Sequence, residues 1–278
     1  MAELKNTTIN DNEAVELPTG TLAERPASPV DGYMRFNTTL NIIEIYNNGL
    51  WEYLPRIPTE NLVLYLDPAE PASYLGSGTD WDDLSVDGND AVLVNGPTYS
   101  SSNAGILNFD GNDDYGTISS SIVTTPSQLS VGGWFKKTSG GANFETVLHH
   151  GGNDSVGDSA YWFGVNPDDL VVGTIGARTN VGWDAGLTHI KVSYSKWYFV
   201  FACWDGVEVK TYVDGNLVKS YALSDYSDPG TATRIGASGD AIGYLFAGSV
   251  GPIFMYERNL GVEEVQNIFN ATRRRFGL

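Results

Sequence analysis

The sequence predicts an all-β protein: a sandwich of antiparallel sheets, a small β module ahead of it, and one short helix near the C-terminus. Three observations carry this. The stretch from Lys196 to Ala222, KWYFVFACWDGVEVKTYVDGNLVKSYA, places Asp205-Gly206 and Asp214-Gly215 between β-branched and aromatic runs, which is the strongest short hairpin signal. Between the two pairs, Val207, Val209, Thr211 and Val213 alternate with Glu208, Lys210, Tyr212 and Asp214, the period of a strand with one face buried. Helical periodicity is confined to residues 262–272, where Val262, Val265, Ile268 and Phe269 share a face.

Residues 1–17 are polar and carry neither period, so they read as an extended arm. Residues 18–58 form a module and its linker. Tyr33–Asn37, Ile42–Tyr46 and Leu50–Leu54 are strands, the last two joined by Asn48-Gly49, and Pro55-Arg56-Ile57-Pro58 is the linker. Three short strands bury little by themselves, so this module is expected to pack on a partner or on copies of itself.

The sandwich spans residues 59–278. Its expected strands are Leu62–Leu66, Ala91–Val94, Leu107–Phe109, Tyr115–Ile118, Leu129–Lys136, Val147–Gly152, Tyr161–Val165, Leu170–Ile175 and Ile190–Tyr194, then the three strands of the meander, Thr233–Gly236 and Phe246–Tyr256. The run Trp197–Trp204 is apolar at nearly every residue, so it should lie mid-sheet with both faces covered, and the meander should sit at the centre of the sandwich.

Several separated segments resemble one family in its own order. They are LNFDGNDDYGTI, KWYFVFACWDGVEVKTYVDGNLV, RIGASG and FAGSVGPIFMYERNLGVEEVQNIFN, with Asp-Leu-Ser, Gly-Asn-Asp and Asn-Gly-Pro upstream. This resembles the laminin-G-like, concanavalin-A-like lectin/glucanase domain from about Leu62 to Asn270. The resemblance implies a jelly-roll sandwich that serves as lectin, adhesion module, enzyme or structural part. TGTLAERPASPVDGYMRFNTTLNIIEIYNNGLWEYL resembles the small β module of tailed-bacteriophage fibre and head-appendage proteins. That resemblance implies attachment to the capsid or tail proteins of a virion, commonly as a trimer, with Tyr33, Phe36, Ile43, Tyr46 and Trp51 as the attachment residues.

Composition narrows the partners. The formal charge of −18 opposes binding to nucleic acid, which requires clustered cations against phosphate. No run of about 18 apolar residues marks a membrane span, and the first residues lack the basic start and apolar core of a secretory signal. Synthesis in the cytoplasm of a host and display on a virion surface is the expectation. Cys203 is the single cysteine, set in the most apolar strand, and reads as a small buried hydrophobe.

None of the thirteen glutamates has an aspartate two residues on, so the Glu-x-Asp-x-Glu pattern of some glycosidases of this fold is missing. His149 and His150 are adjacent and so point to opposite faces of a strand. The expectation is a non-enzymatic protein, with a soluble glycan-binding adhesin as the alternative and a glycoside hydrolase third. For sugar binding, Trp81, Tyr161, Trp162 and Trp183 with Asp184 lie near loops rich in Asn, Asp and Gly, where an aromatic face can stack on a sugar ring. Asp83, Asp87, Asn89, Asp90 and Asp110 offer hard oxygen ligands suited to structural Ca²⁺, although Asp and Asn serve equally in turns through their backbone hydrogen bonds. The run Arg273-Arg274-Arg275 reads as a subunit contact or a solvated helix end. Head decoration or a head fibre is preferred to a tail fibre because the chain is short and has no repetitive shaft.

Overall fold

The structure, a computed structural model, describes residues 16–39, 42–118, 122–123, 126–138, 143–151, 159–175, 187–194, 196–224, 226, 232–239 and 243–278. The chain divides into two compact units, residues 1–55 and 56–278.

In the first unit, β1 (Thr19–Gly20), β2 (Met34–Asn37), β3 (Ile42–Asn47) and β4 (Leu50–Tyr53) form one sheet in that order. β1 is a two-residue parallel addition to β2, too short to carry a pattern in sequence. Asn48 and Gly49 take φ angles of 50° and 83°, the left-handed pair of a type I′ hairpin turn. The buried side chains here include Arg35, Asn37 and Glu44. Glu44 accepts hydrogen bonds from Arg25 Nη2 at 2.6 Å and Asn37 Nδ2 at 3.1 Å. An ion pair thus sits among the buried side chains of this small sheet.

The five expected attachment residues do not form one patch. Phe36 pairs with Ile43 across one face, while Tyr46 pairs with Trp51 on the face that also carries Glu44, because side chains alternate along a strand and cross-strand partners share a face. Arg25 lies over the Trp51 ring at 5.5 Å, and Tyr33 is exposed just ahead of β2.

The second unit opens with β5 (Leu62–Leu66), β6 (Asp80–Trp81), β7 (Ala91–Val94), β8 (Thr98–Ser100), β9 (Ile106–Asp110) and β10 (Tyr115–Ile118). It continues with β11 (Leu129–Lys137), β12 (Glu145–Gly151), β13 (Ser159–Val165), β14 (Leu170–Ile175) and β15 (Leu187–Lys191). The meander is β16 (Tyr198–Trp204), β17 (Glu208–Val213) and β18 (Asn216–Ala222), followed by β19 (Thr233–Ile235), β20 (Ala247–Tyr256) and helix α1 (Val262–Thr272). One sheet runs β15-β14-β13-β12-β19-β10-β7-β6; the other runs β18-β17-β16-β11-β20-β9-β8, with β5 also on β20. The ten-residue β20 accommodates both neighbours on one edge, pairing β9 through residues 247–250 and β5 through 253–256.

β16 is buried at every position, and its two faces meet different partners. Tyr198, Val200, Ala202 and Trp204 enter the core between the sheets; Phe199, Phe201 and Cys203 enter a second cluster with Val265, Ile268 and Phe276 from the C-terminal segment. Trp134 ties this helical roof down: its Nε1 donates to Thr272 Oγ1 at 2.8 Å, and its ring stacks 4.3 Å from Phe276. Burial pushes the Cys203 thiol up to about 12, so the residue packs as a hydrophobe at neutral pH. Val262 is 46% exposed and Thr272 replaces it on the buried helix face.

Several expectations are corrected. The meander runs from the middle of its sheet to the edge, with β18 as the edge strand; the alternating polar residues of β18 suit a solvent-facing rim. Val207 is 70% exposed because Asp205 Oδ1 caps the amides of Val207 and Glu208 and holds them in the turn. β9 and β10 belong to different sheets, so the acidic turn 110–114 crosses the sandwich. Val192–Tyr194 leaves the sheet, Val192 N donating to Asp169 O. Tyr256 Oη donates to Pro58 O at 3.0 Å. Arg275 is an internal tie, bidentate to Asp67 at 2.7 and 3.0 Å.

Candidate functional site

The pairing register of the β15–β6 sheet builds one continuous cross-strand row. Asp80 opposes Val92, Val92 opposes Thr117, Thr117 opposes Arg234, Arg234 opposes His149, His149 opposes Trp162, and Trp162 opposes Thr174. Cross-strand partners share a face. The residues that alternate with these, Leu93, Ile118, Ile235, Leu148, Tyr161 and Phe163, lie in the core, so the row is on the outer face of the sandwich.

Burial divides the row in two. Asp80 and Val92 are exposed, Thr117 and Arg234 are half-buried, and His149, Trp162 and Thr174 are buried. The covered half has a visible roof. Gly239 N donates to His149 Nδ1 at 3.2 Å, and Phe144 meets Trp162 edge-on at 5.6 Å and Tyr244 at 5.7 Å. Trp162 Nε1 is satisfied by Thr146 Oγ1 at 2.9 Å. The open half is therefore a ledge ending against a wall, with Arg234 at the step.

Arg234 is held from two sides. Its Nη1 donates to Thr117 Oγ1, and its guanidinium carbon lies 5.6 Å from the centre of the Tyr115 ring. Among the described residues, no acceptor meets the buried Nε. Sequence reasoning missed Arg234, Tyr115 and Thr117, since the pairings that join them span more than a hundred residues.

The expected sugar-stacking residues fall elsewhere. Trp81 and Tyr161 are fully buried on the inner face, in the core between the sheets. Trp162 is on the outer face but only 2% exposed. None of the three offers a ring face to a sugar in this structure. Trp183 and Asp184 lie outside the described residues.

The calcium candidates separate in the same way. Asp83 has its carboxylate occupied: Oδ1 accepts from Tyr65 N and Ser85 N, and Oδ2 from Ser85 Oγ and Asn89 N. Asp90 Oδ1 accepts from Asp83 N, and Asn89 Nδ2 donates to Val63 O. Asp87 is exposed. Asp83, Asn89 and Asp90 thus act as loop formers, most of their hydrogen bonds going to backbone groups of the loop and of β5. Among the described residues, Asp110, Asp113 and Asp114 form a group of three carboxylates whose ligand atoms come within 4.8 Å of one another. Hydrogen bonds from Asn112 hold the Asp110 carboxyl below its usual range, whereas burial, with Asp110 and Asp113 nearby, pushes that of Asp114 up. Turn hydrogen bonds are made here too, Asp110 Oδ1 accepting from Asn112 N and Asp114 Oδ2 from Asp110 N.

A second ionic group lies at one end of the sandwich. Lys137 is fully buried, with its Nζ 3.0 Å from Glu145 Oε1 and 2.7 Å from Asp169 Oδ1; Tyr194 Oη donates to the other Asp169 oxygen at 2.8 Å. Every member is paired, so the group reads as a structural clasp.

Residues 110–266 match the family described as the concanavalin A-like lectin/glucanases superfamily, and no curated protein sequence matches the chain. Among solved structures, the fold is similar to domain 4 of AbnA, a GH43 extracellular arabinanase from Geobacillus stearothermophilus, in complex with arabinotriose. The TM-score is 0.57 at 14% identity, over 76% of this chain and 99% of that one. It is similar to Trypanosoma rangeli sialidase, with TM-score 0.57 at 14% identity over 89% of this chain and 46% of that one. It is also similar to the receptor binding domain of botulinum neurotoxin D, with TM-score 0.53 at 14% identity over 75% and 52%. The chain thus spans about half the length of the latter two. The expectation of a non-enzymatic protein is corrected here: an arabinanase and a sialidase carry this fold, so the fold does not set the chain apart from enzymes, and at such identity the likeness extends to the fold alone. With more than half of its 278 residues matched, the chain belongs to the concanavalin A-like lectin/glucanases superfamily.

Proposed function

We propose that the chain recognises glycans on the open ledge formed by Asp80, Val92, Thr117 and Arg234, and that residues 1–55 couple this ledge to a larger assembly. The ledge carries the reading. It is an exposed sheet face on which a carboxylate, a hydroxyl and a guanidinium stand in one line beside an apolar patch and the Tyr115 ring. Hydroxyl-rich ligands need such a mixture of polar groups and apolar surface. A domain of the same fold in complex with arabinotriose supports the choice of ligand class. The assembly is a tailed-phage virion, by the resemblance of residues 18–54, and its capsid or tail proteins or further copies of the chain are the partners. Met34, Phe36, Ile43, Ile45 and Leu50 on one face of the first sheet, with Leu50 67% exposed, suit such a contact.

The test is a printed glycan array probed with the full chain and with Val92→Glu. Val92 is 45% exposed at the middle of the ledge, so the substitution obstructs the ledge without entering the core. Binding to a defined glycan set that Val92→Glu abolishes, at an unchanged melting temperature, is the expected result. No bound glycan, or equal binding by the variant, would overturn the assignment.

A further inference from the structure

We infer that the ledge selects glycans bearing a carboxylate and that Arg234 is the residue that binds it, an inference that rests on the glycan-binding reading above. The chain has 34 acidic and 16 basic side chains, so carboxylates are abundant partners for any cation. The other strongly held arginines use them: Arg25 pairs with Glu44 at 2.6 Å, Arg258 with Glu264 at 2.7 Å and Arg275 with Asp67 at 2.7 Å. Arg234 is half-buried and, among the described residues, bonds to a threonine hydroxyl alone. Its cross-strand neighbours in the row, Thr117 and His149, bring no negative charge. A guanidinium withdrawn from water without a counter-charge is a costly arrangement that folding alone does not reward.

The same contacts that leave the charge uncompensated fix its direction. Thr117 holds one nitrogen, and the Tyr115 ring supports the guanidinium plane, so little side-chain freedom remains to be lost when an anion arrives. One guanidinium balances one negative charge. A sugar carboxylate brings a single charge on a planar fork that matches the guanidinium geometry. On a chain of net charge −18, the step at Arg234 is a place at which an acidic glycan meets attraction.

Calorimetric titration of the full chain with paired probes tests this: trigalacturonic acid against its methyl ester, 3′-sialyllactose against lactose, and 3′-sulfolactose as a sulfate control. The acidic member of each carboxylate pair is expected to bind about 10- to 100-fold tighter, the range for a charge-assisted hydrogen bond, with the preference shrinking as salt rises. Arg234→Met should erase the preference without lowering the melting temperature, because no carboxylate loses its partner; Arg234→Lys should retain part of it. A merely structural Arg234 would instead lower the melting temperature of the Met variant and leave selectivity alone. Equal binding of acidic and neutral members, a preference for the sulfate alone, or a preference that survives in Arg234→Met overturns the inference while glycan binding stands. Binding of no probe, together with an empty glycan array, removes the underlying reading as well.

Discussion

Replacing Lys137 by methionine is expected to destabilise the second unit by about 3–5 kcal/mol, the cost of removing one partner from a buried ion pair. The magnitude follows from what is left behind. Lys137 is fully buried, and its departure strands Glu145, whose side chain is 6% exposed, and Asp169, at 20%, each within 3.0 Å of the former ammonium. Methionine restores the volume but no charge. For a unit of this size, 1 kcal/mol moves the melting temperature by about 2–4 °C, so the drop should be about 6–20 °C by calorimetry at pH 7. The pH dependence has a definite sign. The hydrogen bond from Lys137, against the opposing cost of burial, holds the Asp169 carboxyl below its usual range; its share of stability is full above the unfolded pKa and is lost as pH falls through the depressed one. Burial lowers the Lys137 pKa, but the hydrogen bonds to Asp169 and Glu145 more than reverse this and raise it. Its share is full below the ordinary value of 10.5 and fades as pH rises through the folded one. Wild type and Lys137→Met should therefore differ most near neutrality and converge in acid. An unchanged melting temperature at pH 7, or a gap that widens in acid, would refute this reasoning.

Three further outcomes follow from the same structure. Trp204→Ala should cost about 3–5 kcal/mol in a denaturant titration, because Trp204 is 4% exposed and its Nε1 bonds to Leu223 O at 2.9 Å; an unchanged midpoint would contradict its place in the core. If the turn at Asp110, Asp113 and Asp114 holds calcium, millimolar calcium should raise the melting temperature over that in EDTA, by about 3 kcal/mol of stability at a hundredfold excess over Kd. Asp113→Asn should remove the effect, whereas identical curves would leave the turn a turn. A chain beginning at Thr59 should stay folded by circular dichroism and sediment as a monomer, while the full chain is oligomeric or joins virions. Incorporation of the shortened chain into particles would place attachment in the sandwich.

The elements that sequence reasoning found are those fixed by local chemistry. Asp214-Gly215 closes its hairpin with φ angles of 50° and 77°, Asn48-Gly49 does the same, and the helix over Val262–Thr272 begins and ends where its period does. The apolar run of β16 foretold two covered faces without saying that one cover is a helix, since burial leaves the same mark whatever does the burying. The site was less legible. Trp81 and Tyr161 sit beside polar loops in sequence, but the strand pleat turns them inward, and a residue's face is set by register rather than by its neighbours. Arg234 stands in a three-residue strand between Thr117 and His149, and nothing local announces that company. In the first unit the buried set includes Arg35, Asn37 and Glu44, whose burial depends on ion pairing that no hydropathy pattern encodes.

The ledge is tested most directly by heteronuclear NMR on the isotope-labelled full chain during titration with the tightest glycan from the array. The largest chemical-shift changes should fall on the amides of Val92, Tyr115, Thr117 and Arg234 and on the Arg234 side-chain Nε–H. Changes centred on the first unit, or on the strands β16–β18 of the opposite sheet, would contradict the site.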